Sequence, residues 1–469
     1  MGIVTRSHAR RTTPRWRRWT VAAATAVATA AGTGALAAVP AADAVAPRSV
    51  AAVVAPSDPF YVYRGTTPLA SLAPGTVLAT RTKPYHLLGL PLPLKVVQIL
   101  FRTTDQQGRA VAGVTSVVKP LFGTSTRVVS YQSFYDSLNP EDGPSRAIAG
   151  DVRFGGLIAN VETGFVLSFL LQGFAVNIAD TQGPTADFAA GPEYGMVTLD
   201  SLRAALATPS TGIAPGAQVG LFGYSGGAIA TNWAATLAPS YAPEVNSRLV
   251  GAAEGGVLVR PHQNLPYVDG SLVWAGVAPM AIVGAARGFG IDFSRYLSPY
   301  GRQVVAKLEN ASIGEVLGAY PGLTFASLVK PEYADPASIP EFVAAVNQLN
   351  LGTRPSPTIP MFIGQGASGE IEGTRGDKPG IGPGDGVMVA GDVRSLARKY
   401  CGDGVKVTYR EYQASHVGTV AFWAPEAVLW LSSRFGANPS DPGSNCASIA
   451  PGNPLTPLAA KSAKRPVGR

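Results

Sequence analysis

Cysteine is scarce: Cys401 and Cys446 are the only two in 469 residues, and histidine occurs four times. That leaves no Cys/His cluster with metal-ligand spacing, so no metal is expected. Charged residues are also few, at 14% against 46% apolar, which excludes a disordered chain and allows a sizeable core. The net charge of +8 sits mostly at the ends. Residues 1–44 carry six arginines against the single acid Asp43, so eight less six plus one leaves +3 without them. Lys461, Lys464, Arg465 and Arg469 account for the rest, and a near-neutral body has no electrostatic footprint for nucleic acid. No internal repeat is present, and the length fits one large domain with an insertion, or two domains.

A convincing membrane span is missing too. The Ala-rich stretch from Val21 to Val39 is diluted by Thr25, Thr29, Thr33, Gly32 and Gly34. It follows a basic region ending at Arg18 and precedes small residues such as Ala42-Asp43-Ala44, the pattern of a cleaved export signal over 1–44. An uncleaved anchor is the alternative, and the weak hydrophobicity argues against it. No cysteine near the cleavage region supports a lipoprotein. In an exported chain the two cysteines read as one disulfide closing the C-terminal segment, worth ~4 kcal/mol on the loop-entropy model. Two free thiols are the alternative.

What is present is an alternation of short apolar runs and helical spacings. Strands are expected at Gly113–Val118, Arg127–Tyr131, Phe174–Ala179, Gln218–Phe222 and Pro360–Gly364, and Val405–Tyr412 is strand-like. Helices are expected at Met196–Ala207 and Ala228–Ala238, and residues 45–80 look irregular. Alternating strands and helices predict a mostly parallel central sheet with helices on both faces, an α/β fold. Residues 255–350 break the rhythm with helix-like segments at Gly270–Arg287, Gln303–Leu317 and Ser338–Leu349, and read as an inserted helical cap. Such an insertion acts as a lid or as a fixed elaboration. Gly364–Gly386 holds nine glycines in 23 residues and reads as a long irregular loop.

The sharpest chemical signal is Gly223-Tyr224-Ser225-Gly226-Gly227, a G-x-S-x-G pattern. Alone it is weak in a chain with 54 glycines. Its setting, strand before and Ala-rich helix after, is that of a nucleophile elbow, where a serine sits on a strained turn. A serine needs a positioned base. His86 precedes it and His262 lies early in the insertion, so elimination selects His416, expected in a loop between Val405–Tyr412 and a helix-like Ala424–Phe435. The triad acid should lie between a late strand and that histidine, which leaves Glu370, Glu372, Asp377, Asp385, Asp392 and Asp403. Asp385 is preferred because it ends the glycine-rich loop just before a helix; its bland reading is an N-cap. The oxyanion needs the N–H of Gly226 and a donor from the loop after Arg127–Tyr131, where Gln132–Leu138 contains Asp136.

Tyr131-Gln132, Asp136-Ser137-Leu138, Gly173-Phe174, Ala179-Asp180, Gly183, Leu199-Asp200, the elbow, and the run Asp385…Cys401…His416 together resemble the secretory lipase family, lipase A type. The resemblance implies an α/β-hydrolase fold over 45–469 with a helical cap, acting on acylglycerols or simpler esters without a cofactor. It implies Ser225 as nucleophile, Asp385 as acid, His416 as base, Asp136 and Gly226 as oxyanion hole, and a Cys401–Cys446 disulfide. Two departures are visible: Gly386 stands where the family has an acidic residue after the triad acid, and Gly366–Gly384 looks inserted.

The expected function is therefore a secreted serine esterase or lipase, extracellular or in the cell envelope, whose partner is a lipid or small ester, including a lipid–water interface. Acyl transfer to an alcohol or cell-envelope acceptor would use the same triad. A non-catalytic binding protein on a hydrolase scaffold would have lost a triad member. Nothing marks a peptide-binding domain, which disfavours a peptidase.

Overall fold

The computed structural model describes residues 57–462, so the expected export segment at 1–44 lies outside the described residues. Nine strands form one sheet: β1 Val77–Leu87, β2 Leu90–Thr104, β3 Ala110–Val118, β4 Ser125–Gln132, β5 Ala175–Ala179, β6 Ile213–Tyr224, β7 Leu249–Gly255, β8 Met361–Gly366 and β9 Val407–Tyr412. Their spatial order is β1-β2-β3-β5-β4-β6-β7-β8-β9. The six strands from β5 to β9 along that order pair in parallel, while β1, β2 and β3 join one edge in antiparallel register. The principal helices are α1 Leu157–Val161, α2 Thr163–Leu170, α3 Gly191–Ala207, α4 Gly226–Tyr241, α5 Pro261–Val268, α6 Val277–Phe289, α7 Pro299–Leu308, α8 Pro340–Gln348, α9 Ala390–Gly402 and α10 His416–Ser432. This is the architecture of an α/β-hydrolase.

Helices on both sides bury the sheet, which is why its strands read as continuous apolar runs rather than alternating ones. Val128 and Val117 pack with α3, α4 and α9, while their neighbours Val129 and Val118 pack with α2 and α10 on the other face. In the second layer Phe222 touches the rings of Tyr131, Phe165, Phe169 and Trp423. Truncating such a residue to alanine costs about 3–5 kcal/mol.

The β1–β2 hairpin is not among the strands expected from the sequence, and only its first residues overlap the stretch 45–80 that looks irregular. Residues 57–76 do carry only bends and short 3-10 turns, but β1 begins at Val77. Pro84, Pro91 and Pro93 disguise the hairpin, since proline removes a ladder donor. They are tolerated because β1 is an edge strand, and because β2 pairs with β3 only from Val96 onward.

Between β7 and β8 the chain holds α5 to α8 and several single-turn helices, with one hydrophobic cluster around Trp274, Met280, Val304 and Val316 that also takes in Leu138, Phe188 and Val389, and another around Phe325 and Phe342. The expected Gln303–Leu317 helix is split into α7 and a separate turn at Ile313–Val316 that carries a Ser312–Glu315 capping box. Cys401, at the end of α9, is joined to Cys446 in a disulfide, Cα to Cα 5.8 Å. No helix among the described residues is long and apolar enough to cross a membrane.

Candidate active site

The parallel strands end at one edge of the sheet, and the candidate residues follow those ends. Asp136 comes four residues after β4, Ser225 directly after β6, Asp385 in the loop after β8, and His416 after β9. Ser225 has φ +54° and ψ −119°, a conformation that costs an L-residue about 1–3 kcal/mol and turns its side chain away from the helix that follows. The turn is possible only because the backbones crowd. A Cβ on Gly223 would strike the Gly227 carbonyl, and one on Gly227 would strike the Gln132 carbonyl. The Ser225 N–H is tied to Gly255 O at 2.8 Å, which anchors the elbow to β7.

His416 Nε2 lies 2.8 Å from Ser225 Oγ, and its Nδ1 lies 2.7 Å from Asp385 Oδ2. Asp385 and His416 are buried. The other Asp385 oxygen accepts the N–H groups of Val387 and Met388 at 3.0 and 2.7 Å. These bonds correct the N-cap reading of Asp385: the cap position of α9 is Val389, and Asp385 closes a tight turn four residues earlier. His416 is also not in a loop. It is the first residue of α10, where Ser415 caps the N–H of Gly418 at 3.3 Å. Gly418 and the internal Pro425 hid that helix start, because both read as breakers.

Burial by itself pushes the His416 imidazole down. Asp385, by charge and hydrogen bond, then Glu372 and Asp136, reverse this and carry it above its usual value. Tyr224 donates its hydroxyl to the His416 carbonyl at 2.6 Å, and its ring lies 5.1 Å from the imidazole at a tilt of 42°. Trp274, from the segment between β7 and β8, stands edge-on to the imidazole at 5.1 Å and 83°.

Asp136 has φ +27° and faces Gly226, where an added Cβ would fall on its carboxyl group. Gly226 opens α4, so its N–H is among the first-turn donors that find no acceptor within the helix. Burial raises the Asp136 carboxyl to about 7, against the charge of His416 and a 3.2 Å bond from Gln182 Nε2. Gln182 also accepts the Ser137 N–H at 3.1 Å and so fixes this loop from both sides. No spacing in the sequence singles Gln182 out. The Asp136 carbonyl accepts the Ile313 N–H at 2.8 Å, which ties the loop to the segment between β7 and β8.

Ser225, His416, Asp136 and Gly226 border a cavity of about 690 Å³. Asp136 is the one carboxylic acid and His416 the one imidazole among the described residues of a lining dominated by aliphatic and aromatic side chains. Val277, Ala278, Ala281, Ile282, Ala285 and Ala286 repeat along one face of α6 and form much of its wall. His86 and His262 are elsewhere: His86 Nδ1 meets Ile148 O at 3.0 Å, and His262 pairs with Arg260, its pKa pushed down to about 4 by burial and that charge. Asp392 binds Asn453, Asp377 binds Arg375, and Asp403 binds Ser356 and Lys399. Among the described residues no group of three or more His, Cys, Asp or Glu is arranged for a metal ion.

Comparison with known proteins finds relatives named as lipases. Lipase A of Arthroderma benhamiae is 31% identical over 409 residues, covering 83% of this chain and 82% of that protein. A protein of Mycobacterium tuberculosis named as a probable inactive lipase is 29% identical over 401 residues, covering 84% and 85%. Among solved structures, Candida antarctica lipase A in its closed state superposes with a TM-score of 0.71 at 26% identity, covering 87% of this chain and 91% of that one. The model of the secretory lipase family matches residues 151–443, and the chain belongs to that family.

Proposed function

We propose that this protein is an exported serine carboxylic-ester hydrolase, a lipase that cleaves lipid esters through an acyl-enzyme on Ser225. The observation that carries the reading is the Ser225–His416–Asp385 chain of 2.8 and 2.7 Å contacts on the wall of an apolar cavity. Asp385 holds Nδ1 of the imidazole protonated, leaving Nε2 to take the Ser225 proton as Oγ attacks the ester carbonyl. The Gly226 N–H and the Asp136 loop stabilise the oxyanion. His416 then returns its proton to the departing alcohol, and a water activated by the same imidazole releases the acid and frees Ser225. One relative is described as probably inactive; here all three reacting groups are present and within hydrogen-bond reach.

The cavity favours a water-insoluble acyl chain over a small polar ester. Leu88, Phe154 and Val161 line it and are also 56%, 58% and 39% exposed, so it meets solvent at an apolar rim beside the β1–β2 turn. The secretory character of the family and the Cys401–Cys446 disulfide support export.

Hydrolysis of p-nitrophenyl esters from acetate to palmitate tests the reading, with wild type and Ser225→Ala in parallel and a fluorophosphonate label located by mass spectrometry. Turnover lost in the folded variant, by about 10⁴-fold or more, and label on Ser225 are expected. Full activity in Ser225→Ala, or a folded wild type without label or turnover, overturns it.

A further inference from the structure

Glu372 has no task in the scheme above, although it lies beside the imidazole. It belongs to the glycine-rich loop between β8 and α9, in a single 3-10 turn at Gly369–Glu372. One carboxylate oxygen accepts the Val417 N–H at 3.0 Å, and the other accepts Trp274 Nε1 at 2.7 Å. Val417 follows His416 in the first turn of α10, and Trp274 is the cap residue packed edge-on against the same imidazole. A single carboxylate therefore fastens both the peptide that carries the base and the ring that packs on it.

The loop is built to deliver this group. Thr374 donates its hydroxyl to Gly386 O at 2.7 Å, Gly369 its N–H to Gly384 O at 2.8 Å, and Leu272 of the cap its N–H to Gly373 O at 3.3 Å. Gly386, directly after Asp385, has φ +126° and no side chain. A Cβ there would lie 2.8 Å from Trp274 Nε1 and 3.0 Å from Glu372 Oε2, so the bare glycine leaves the space in which the pair meets.

We propose that Glu372 is a positioning residue for the base: it locks the start of α10 and Trp274 around His416, and its negative charge stabilises the imidazolium formed when Ser225 is acylated. The inference rests on the assignment of His416 as base. The groups facing His416 come from each element around it: Asp385 and Glu372 from the glycine-rich loop, Asp136 from the loop after β4, Tyr224 from β6, and Trp274 from the cap. The three carboxyl groups all act on the imidazole in the same direction, upward against burial.

The test compares wild type, Glu372→Gln and Glu372→Asp by NMR titration of the histidine ring protons, by kcat/KM for p-nitrophenyl butyrate against pH, and by thermal unfolding. Only His86, His262 and His416 lie beyond the expected export segment, so in the mature chain His86→Gln and His262→Gln variants assign the His416 signal. In Glu372→Gln the His416 pKa and the acid limb of kcat/KM should both move down by about half a pH unit or more, because a nearby negative charge has been removed. Glu372→Asp keeps the charge and should keep the wild-type limb. A Glu372→Gln protein with lowered turnover or unfolding temperature but an unmoved His416 pKa overturns the proposal, since loss of a loop anchor alone would do that. A shifted pKa in a protein whose wild type turns over no ester and takes no fluorophosphonate supports the placement of Glu372 and overturns the hydrolase reading instead.

Discussion

The backbone N–H of His416 donates to the backbone carbonyl of Asp385 at 2.6 Å, alongside the 2.7 Å contact between their side chains. Two bonds at once, one main-chain and one side-chain, join residues 31 positions apart. The ring therefore has little freedom to rotate away from Ser225.

That double tie makes Asp385→Asn an informative change. The backbone bond and the turn onto Val387 and Met388 persist, but an amide facing Nδ1 favours the tautomer that presents an N–H to Ser225. The variant should fold with an unfolding temperature within a few degrees of wild type, while kcat falls by about 10⁴-fold. A loss under about tenfold in steady-state turnover would remove Asp385 from the triad.

Asp136 sets a second expectation, in pH. Its carboxyl is raised to about 7 by burial, against the charge of His416 and the bond from Gln182, whereas an unfolded aspartate titrates near 4. The folded state thus holds a proton that the unfolded state has lost between those values, so this group's contribution is complete below pH 4 and fades as pH rises to 7. Asp136→Asn has no proton to lose. It should exceed wild type in stability at pH 8 by roughly 4 kcal/mol, with the gap closing at pH 4, as read by denaturant midpoints at both values. Its kcat should also persist above pH 7, where wild type places a carboxylate beside the oxyanion. Parallel pH dependences in the two proteins would contradict both statements.

The face of α6 on the cavity predicts chain-length selectivity. Ala281 and Ala285 are small residues on that wall, so Ala281→Phe or Ala285→Phe fills space that a long acyl chain would use. Each methylene in an apolar pocket is worth about 1–3 kcal/mol. The kcat/KM for palmitate should drop by more than about tenfold, with acetate and butyrate within about twofold of wild type. Equal losses across the series would mean that α6 does not bound the acyl site.

Several elements were legible in the chain because local physics marks them. Strands β3 to β6, β8 and β9 are short apolar runs since both faces of the sheet are covered, and the elbow shows its glycines because neighbouring backbones leave no room for a Cβ. His416 could be reached by elimination, given so few histidines. The acid was harder. Six carboxylates lie between Glu370 and Asp403, and only its place at the end of the glycine-rich loop separates Asp385, which meets the imidazole, from Asp392, which meets Asn453 and lies 3.6 Å from Arg260. The β1–β2 hairpin was hidden by prolines whose cost disappears at an unpaired edge, and α10 by Gly418 in its first turn and Pro425 in its interior.

The sequence by itself determined the residue types, their order along the chain and the strained turn that exposes Ser225, because backbone sterics and hydrophobic period act over a few residues. Tertiary structure decided which carboxylate faces which ring nitrogen, what lines the cavity, and that Glu372 closes on Val417 and Trp274. Ser225 and His416 are 191 residues apart. Their 2.8 Å contact depends on the register of β6, β7, β8 and β9, which only the packed sheet defines.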